Sequence, residues 1–267
     1  MTAPSDFNSI SELDATLVFR VAYDGSSYSG FAEQPGQTTV AGELRRAIET
    51  LLRRPIDLTC AGRTDAGVHA LRQIANYRIP RMLSRHSCSQ IQEYFNQYLP
   101  QDIRVLAVEK APERFHARLS ATSKIYEYRI DCGAVANIFD RRYLLRIEEP
   151  LNIEKMKEAA SYLIGTHDFK SFCANRHMKK STVRTIFDIS IEEQDGILRI
   201  RYHGDGFLYN MVRILTGTLI EVGTGNRAPF QIPMILDGLD RSLAGFTAPP
   251  NALFLVDVFY PDTVPEV

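Results

Sequence analysis

Cys60-Ala-Gly-Arg-Thr-Asp-Ala-Gly-Val-His69 lies between two strand-like runs, Ile56 to Cys60 and Val68 to Ile79, so a glycine-flanked loop sits at one end of a sheet. Loops held by rigid strands are where chemistry concentrates. Between Thr59 and Gln92 the only acidic residue is Asp65, while Arg63, Arg72, Arg78, Arg81 and Arg85 share the window. One arginine within contact distance favours the carboxylate and lowers its pKa, which suits a nucleophile or charge stabiliser better than a proton donor. Gly62 and Gly67 allow tight backbone geometry and leave room for a bulky ligand beside Asp65. By residue type alone the string also reads as a plain turn with an Asp-Arg pair at its tip.

Outward from this loop, strands and helices alternate. Ala15 to Tyr23 is strand-like, and Val40, Leu44, Ala47, Ile48 and Leu51 recur at helical spacing. Ile91, Tyr94, Phe95, Tyr98 and Leu99 mark a second helix stopped at Pro100, followed by a strand from Ile103 to Glu109. After Ala111-Pro112 the theme returns: strand Ile125 to Asp131, helix Ile153 to Ile164, strands Val183 to Glu192 and Gly196 to His203, helix Leu208 to Val222 and strand Leu253 to Tyr260. The halves share topology and no sequence identity. Asp195-Gly196 between adjacent strands predicts a hairpin, which favours a mixed or antiparallel sheet over a doubly wound parallel one. The expected fold class is α+β, with a loose arm at 1–14, α+β units at 15–110 and 111–262, and a tail at 263–267.

Composition narrows the function. The 267 residues carry a net charge of −1, so a nucleic-acid partner requires a local basic face. Phe169 to Phe187 supplies one: Lys170, Arg176, Lys179, Lys180 and Arg184 with no acidic residue. Such a run neutralises phosphates, although a solvated loop is the usual reading of a charge run. Met1 to Asp14 shows neither a basic leader nor an apolar stretch, and no apolar run reaches membrane-spanning length, so a cytoplasmic protein is expected. The four cysteines form no C-x-x-C pair, and no metal site is expected. A P-loop and a Rossmann glycine string are missing too.

The string Ala61 to Ala70 resembles the active-site signature of the TruA family of tRNA pseudouridine synthases. Further similar stretches follow in order: Tyr23-Asp24-Gly25 with Tyr28 to Phe31 and Gln34, Thr39 to Leu44, Phe115 to Arg118, Lys124 to Tyr128, Gly165 to Phe169, Val183 to Ile186, Gly206 to Arg213, and Ala248-Pro249 to Leu253. Ala32 departs from the pattern, where a glutamine is common. The resemblance implies two RRM-like or ferredoxin-like halves sharing one mainly antiparallel sheet, with helices outside and a basic cleft between. It also implies a cofactor-free homodimer that isomerises uridine in the anticodon stem-loop of tRNA, at tRNA positions 38 to 40.

By that resemblance Asp65 is the catalytic carboxylate, Tyr126 packs on the flipped base and helps remove the C5 proton, and Arg213 pairs with Asp65. Arg63 contacts RNA and helps open the stack, and Leu253 walls the uracil pocket. Each has a plainer reading: Tyr126 as a strand tyrosine sharing the core face with Tyr128 and Ile130, Arg213 as a snorkelling surface residue, Leu253 as simple core. His69 is expected to hydrogen-bond locally. The rival functions are a non-catalytic RRM-like RNA-binding protein, stacking bases on Tyr126 and Tyr128, and a glycoside-cleaving enzyme, which would need a second carboxylate.

Overall fold

The computed structural model describes residues 15–52, 56–79, 87–112, 114–175 and 177–261. The expected arm at 1–14, the tail at 263–267, and Arg81, Arg85 and Arg176 lie outside them. The chain runs β1 (Ala15–Tyr23), α1 (Val40–Leu52), β2 (Thr59–Cys60), β3 (His69–Ile79), α2 (Cys88–Tyr98) and β4 (Ile103–Ala111). It continues with β5 (Ser123–Asp131), β6 (Leu145–Arg146), α3 (Ile153–Ser161), β7 (Gly165–Asp168), β8 (Val183–Gln194), β9 (Ile197–Gly204), α4 (Met211–Gly223), α5 (Gln231–Gly238) and β10 (Leu253–Phe259).

One sheet takes in every strand, in the order β4-β1-β3-β10-β5-β9-β8-β7, with β2 beside β3 and β6 beside β5. Each half follows β-α-β-β-α-β. In the first, β4 lies beside β1 and β1 beside β3, which pairs β2; in the second, β10 lies beside β5 and β5 beside β9, which pairs β8. This is the ferredoxin-like arrangement built twice. The seam is the β3–β10 contact, where Phe254 faces His69 and Leu255 faces Ala70 in parallel register. The sheet is thus mixed: antiparallel along most of its length, and parallel where the halves meet and in the short β5–β6 pair.

Apolar periodicity explains the layers. α1 buries Val40, Leu44 and Ile48, and α2 buries Ile91 and Phe95. Phe95 meets Phe19 edge-on at 5.2 Å, and Phe19 stacks on Tyr77 at 4.8 Å. Removing a buried ring such as Phe95 costs about 3–5 kcal/mol. In the second half α4 buries nearly its whole surface, and Tyr202 and Thr216 hydroxyls meet at 2.8 Å between strand and helix. A bulge in β1 between Val21 and Tyr23 turns Tyr23 toward the β2–β3 loop.

The sequence reading missed β6, β7 and α5. β6 and β7 are two and four residues long, too short for periodicity to register. In α5 Pro233 sits within the first turn, where its missing N–H costs nothing, though a proline in an apolar run argues against a helix on sequence alone.

Candidate active site

The loop from Ala61 to Val68 folds inward over the seam. Asp65 begins a tight turn closed by the Val68 amide on the Asp65 carbonyl at 3.1 Å, with Gly67 at φ +78° in the third position that demands it. Gly30 makes the close approach possible, since a Cβ there would stand 2.8 Å from the Thr64 carbonyl. Beneath the loop lies a buried polar clamp. Gln73, fully buried, accepts from the Gly62 amide at 3.3 Å and donates to the Gly62 carbonyl at 2.7 Å. Tyr23 and Thr64 hydroxyls meet at 2.7 Å beside it. The three side chains are buried and paired, which rigidifies the loop.

Arg213, third residue of α4, reaches Asp65 Oδ2 with Nη1 at 3.4 Å. Its pose is fixed by two stronger contacts: Nε donates to the Ala248 carbonyl at 2.7 Å and Nη1 to Asn210 Oδ1 at 2.8 Å. Asn210 stands at the helix start in left-handed conformation and makes no capping bond, its side chain being spent on Arg213. A good cap is worth about 1 kcal/mol, so stability is forgone to orient a guanidinium.

The expected lowering of the Asp65 pKa by an arginine is overturned in its net direction. Burial raises it and outweighs the downward pull of Arg213, so the carboxyl sits above its ordinary value.

Tyr126 is buried with its hydroxyl 3.3 Å from where a Cβ on Gly62 would stand. Its ring meets Phe207 edge-on at 5.2 Å. The phenol makes no hydrogen bond among the described residues, and burial, with the nearby Tyr23 and Asp65, pushes its pKa far up. Cross-strand register puts Leu253 opposite Tyr128 and Leu255 opposite Tyr126, so Leu253 shares the face that presents Tyr126.

Arg63 is exposed at the rim. Arg184 packs its guanidinium against Gly206, at the approach to α4. Lys170, Lys179 and Lys180 are exposed and, among the described residues, have no ion-pair partner. His69 is fully enclosed: Nδ1 accepts the Gly25 amide at 3.0 Å and Nε2 donates to the Asn251 carbonyl at 2.9 Å. Nδ1 also lies 3.0 Å from Asp24 Oδ1, and burial lowers the His69 pKa against the upward pull of the Asn251 carbonyl and Asp24.

The sequence reading gave no role to Gln73, Tyr23, Asn210 and Phe207. Tyr23, Phe207 and Asn210 stand within stretches that resemble the family, and nothing local marks Gln73. Among the described residues no group of three or more His, Cys, Asp or Glu side chains is placed to hold a metal ion, and no helix is long and apolar enough to cross a membrane.

A doubled ferredoxin-like sheet thus carries a carboxylate loop over its seam, against an arginine and a phenol that makes no hydrogen bond among the described residues. The model of the family described as tRNA pseudouridine synthase matches residues 20–119 and 159–261, and the chain belongs to that family.

Similar proteins include tRNA pseudouridine synthase A of Limosilactobacillus reuteri, 43% identical over 244 residues that cover 90% of this chain and 94% of that one. tRNA pseudouridine synthase A of a Bacillus species is 41% identical over 241 residues, covering 90% and 97%. tRNA pseudouridine synthase A 2 of Clostridium tetani is 40% identical over 247 residues, with the same coverage. Among solved structures, a chain of a Cbf5-Nop10-Gar1 complex aligns at a TM-score of 0.38 and 13% identity, over 91% of this chain and 50% of that one.

Proposed function

We propose that the protein isomerises uridine to pseudouridine in the anticodon stem-loop of tRNA, with Asp65 as the catalytic carboxylate. The N1 to C1′ bond breaks, the uracil turns, C5 joins C1′, and the proton lost from C5 is balanced by one gained at N1. Whether Asp65 attacks the nucleoside or stabilises the positive ribose, it must be ionised, and Arg213 opposes the burial that disfavours ionisation. The observation that carries this reading is the joint placement of Asp65, Arg213 and the unpaired Tyr126 hydroxyl around Gly62 to Asp65.

Tyr126 offers a ring face to a base taken out of the stack. Its raised pKa keeps it a phenol, so it acts by packing and donating rather than as a free base for the C5 proton. Leu253 walls the uracil site, and Arg63 enters the RNA stack at the rim. Lys170, Lys179, Lys180 and Arg184, with Arg176, hold phosphates. The units at 15–110 and 111–262 act as two domains, the first supplying Asp65 and the second Tyr126, Arg213 and Leu253. The working form is a cytoplasmic homodimer with one tRNA touching both subunits. No nicotinamide, nucleotide or metal is required, because nothing is oxidised or hydrolysed.

The non-catalytic rival needs Tyr128 as a second open stacking face, yet Tyr128 is wholly buried and tied to the Pro249 carbonyl at 2.8 Å.

The test is incubation of purified protein with unmodified tRNA, followed by mapping of pseudouridine. Product in the anticodon arm with the wild type is expected, and a loss of at least about three orders of magnitude in turnover with Asp65→Ala. Full turnover without Asp65 would overturn the mechanism.

A further inference from the structure

Strand β5 has two faces that treat their cations in opposite ways. On one, Arg129 and Arg201 both close on the buried Glu127 at 2.6 Å. On the other, two residues before Tyr126, Lys124 is half-buried and has no carboxylate partner among the described residues. Its Nζ donates to the Ala61 carbonyl at 2.8 Å. It also lies 3.8 Å from where a Cβ on Gly62 would stand, the point that the Tyr126 hydroxyl approaches to 3.3 Å. Ammonium and phenol therefore straddle Gly62, three residues before Asp65.

More positive charge converges on the same spot. Arg118 and Arg184 both act on Lys124, and Arg63 and Arg118 both act on neighbouring Cys60. None of the four cations has an ion-pair partner among the described residues. Among the described residues the carboxylate that acts on Lys124 is that of Asp205, which is exposed and already accepts the Thr185 amide at 3.0 Å. Burying an ammonium among guanidinium groups costs free energy that only an anion from outside recovers. Burial and the arginines accordingly lower the Lys124 pKa.

We propose that Lys124, with Arg118 at its exposed flank, binds a backbone phosphate next to the flipped uridine and so acts as a positioning residue for the nucleoside over Asp65. The proposal rests on the reading that the substrate is RNA. A lysine suits the task because an ammonium grips phosphate as a point charge. Anchoring to the Ala61 carbonyl keeps that charge registered to the loop that carries Asp65.

The experiment is a thermodynamic cycle on a synthetic, unmodified anticodon stem-loop, with a neutral methylphosphonate placed at each loop phosphate in turn. Binding and pseudouridine formation are measured separately for wild type, Lys124→Met, Lys124→Arg and Arg118→Ala. In the wild type, one phosphate next to the target uridine is expected to cost about tenfold when neutralised. Lys124→Met should weaken the unmodified hairpin by a similar factor and lose sensitivity at that phosphate alone. Its log-log salt slope should fall by about 0.7. Lys124→Arg should keep most of the sensitivity, and Arg118→Ala, on the surface, should reduce it in a protein that is fully folded.

Penalties that add at every phosphate would overturn the proposal, as would a drop in thermal stability of Lys124→Met with binding unchanged, which would make Lys124 only a prop for the loop. A wild type that binds the hairpin and makes no pseudouridine would instead defeat the functional reading, while the binding cycle would still decide the role of Lys124.

Discussion

The same topological position is used twice in this molecule, with opposite results. In each ferredoxin-like half the second strand turns back into the third. In the second half that turn is Asp195-Gly196, with φ of +55° and +74°, a two-residue hairpin whose aspartate faces water. In the first half the turn is the Ala61 to Val68 loop, whose aspartate is folded inward against Arg213. The hairpin is specified by its own residues. The long loop is specified from outside itself: Gln73 on the strand that follows it, and Tyr23, Gly30 and Pro250 from farther along the chain, all bear on it. On the proposed function, a fold position becomes a reactive site when the rest of the molecule is arranged to hold an unfavourable charge there.

The sharpest way to test that contrast is to remove the counter-charge. Arg213→Ala deletes the cation that, among the described residues, stabilises ionised Asp65, and kcat/KM should fall about hundredfold. The acid limb of its pH profile should also move upward, because burial then acts on Asp65 unopposed. Arg213→Lys keeps a charge without the fork that spans Ala248 and Asn210, and should recover only part of the loss. A limb that stays in place would show that Arg213 does not govern Asp65.

A smaller effect should follow from loosening the clamp. Gln73→Leu keeps bulk in a fully buried position but gives up both bonds to Gly62. It should cost about tenfold in turnover, with KM for tRNA unchanged because no RNA-facing group has moved. A rise in KM at constant kcat would place Gln73 in substrate binding and break the account of a loop held from behind.

How much of this was legible in the sequence depends on distance along the chain. The strands and helices with long periodic patterns read directly, and the Asp195-Gly196 turn announces itself by composition. Asp65 stood out as a lone acid among arginines, and the family resemblance picked out Tyr126, Arg213 and Leu253. The net pKa shift of Asp65 was not legible, because it compares burial with a guanidinium 148 residues away. Nor was the parallel seam, which depends on the last strand returning to the N-terminal end of β3. Lys170, Lys179 and Lys180 show the limit of charge counting: the run is real and exposed, yet Arg184 is the member the structure brings to the Asp65 neighbourhood, beside Lys124.

The smallest effect concerns stability, and its sign separates the two aspartates. Asp65 has a raised pKa in the folded protein. Well below the ordinary carboxylate value it is neutral whether folded or unfolded and costs nothing; as pH rises through the folded value, ionisation favours the unfolded chain and stability is lost. Asp65→Asn removes that titration while Arg213 retains Ala248 and Asn210 as acceptors. Its melting temperature should therefore match or exceed that of the wild type by up to a few degrees at neutral pH, with the gap narrowing as pH falls toward the ordinary carboxylate range. Asp195→Asn, in a turn where both residue types tolerate positive φ, should show no such pH-dependent gain. A less stable Asp65→Asn at neutral pH would mean that the Arg213 pair outweighs the desolvation of Asp65, and the loop would then be stabilised by its charge rather than strained by it.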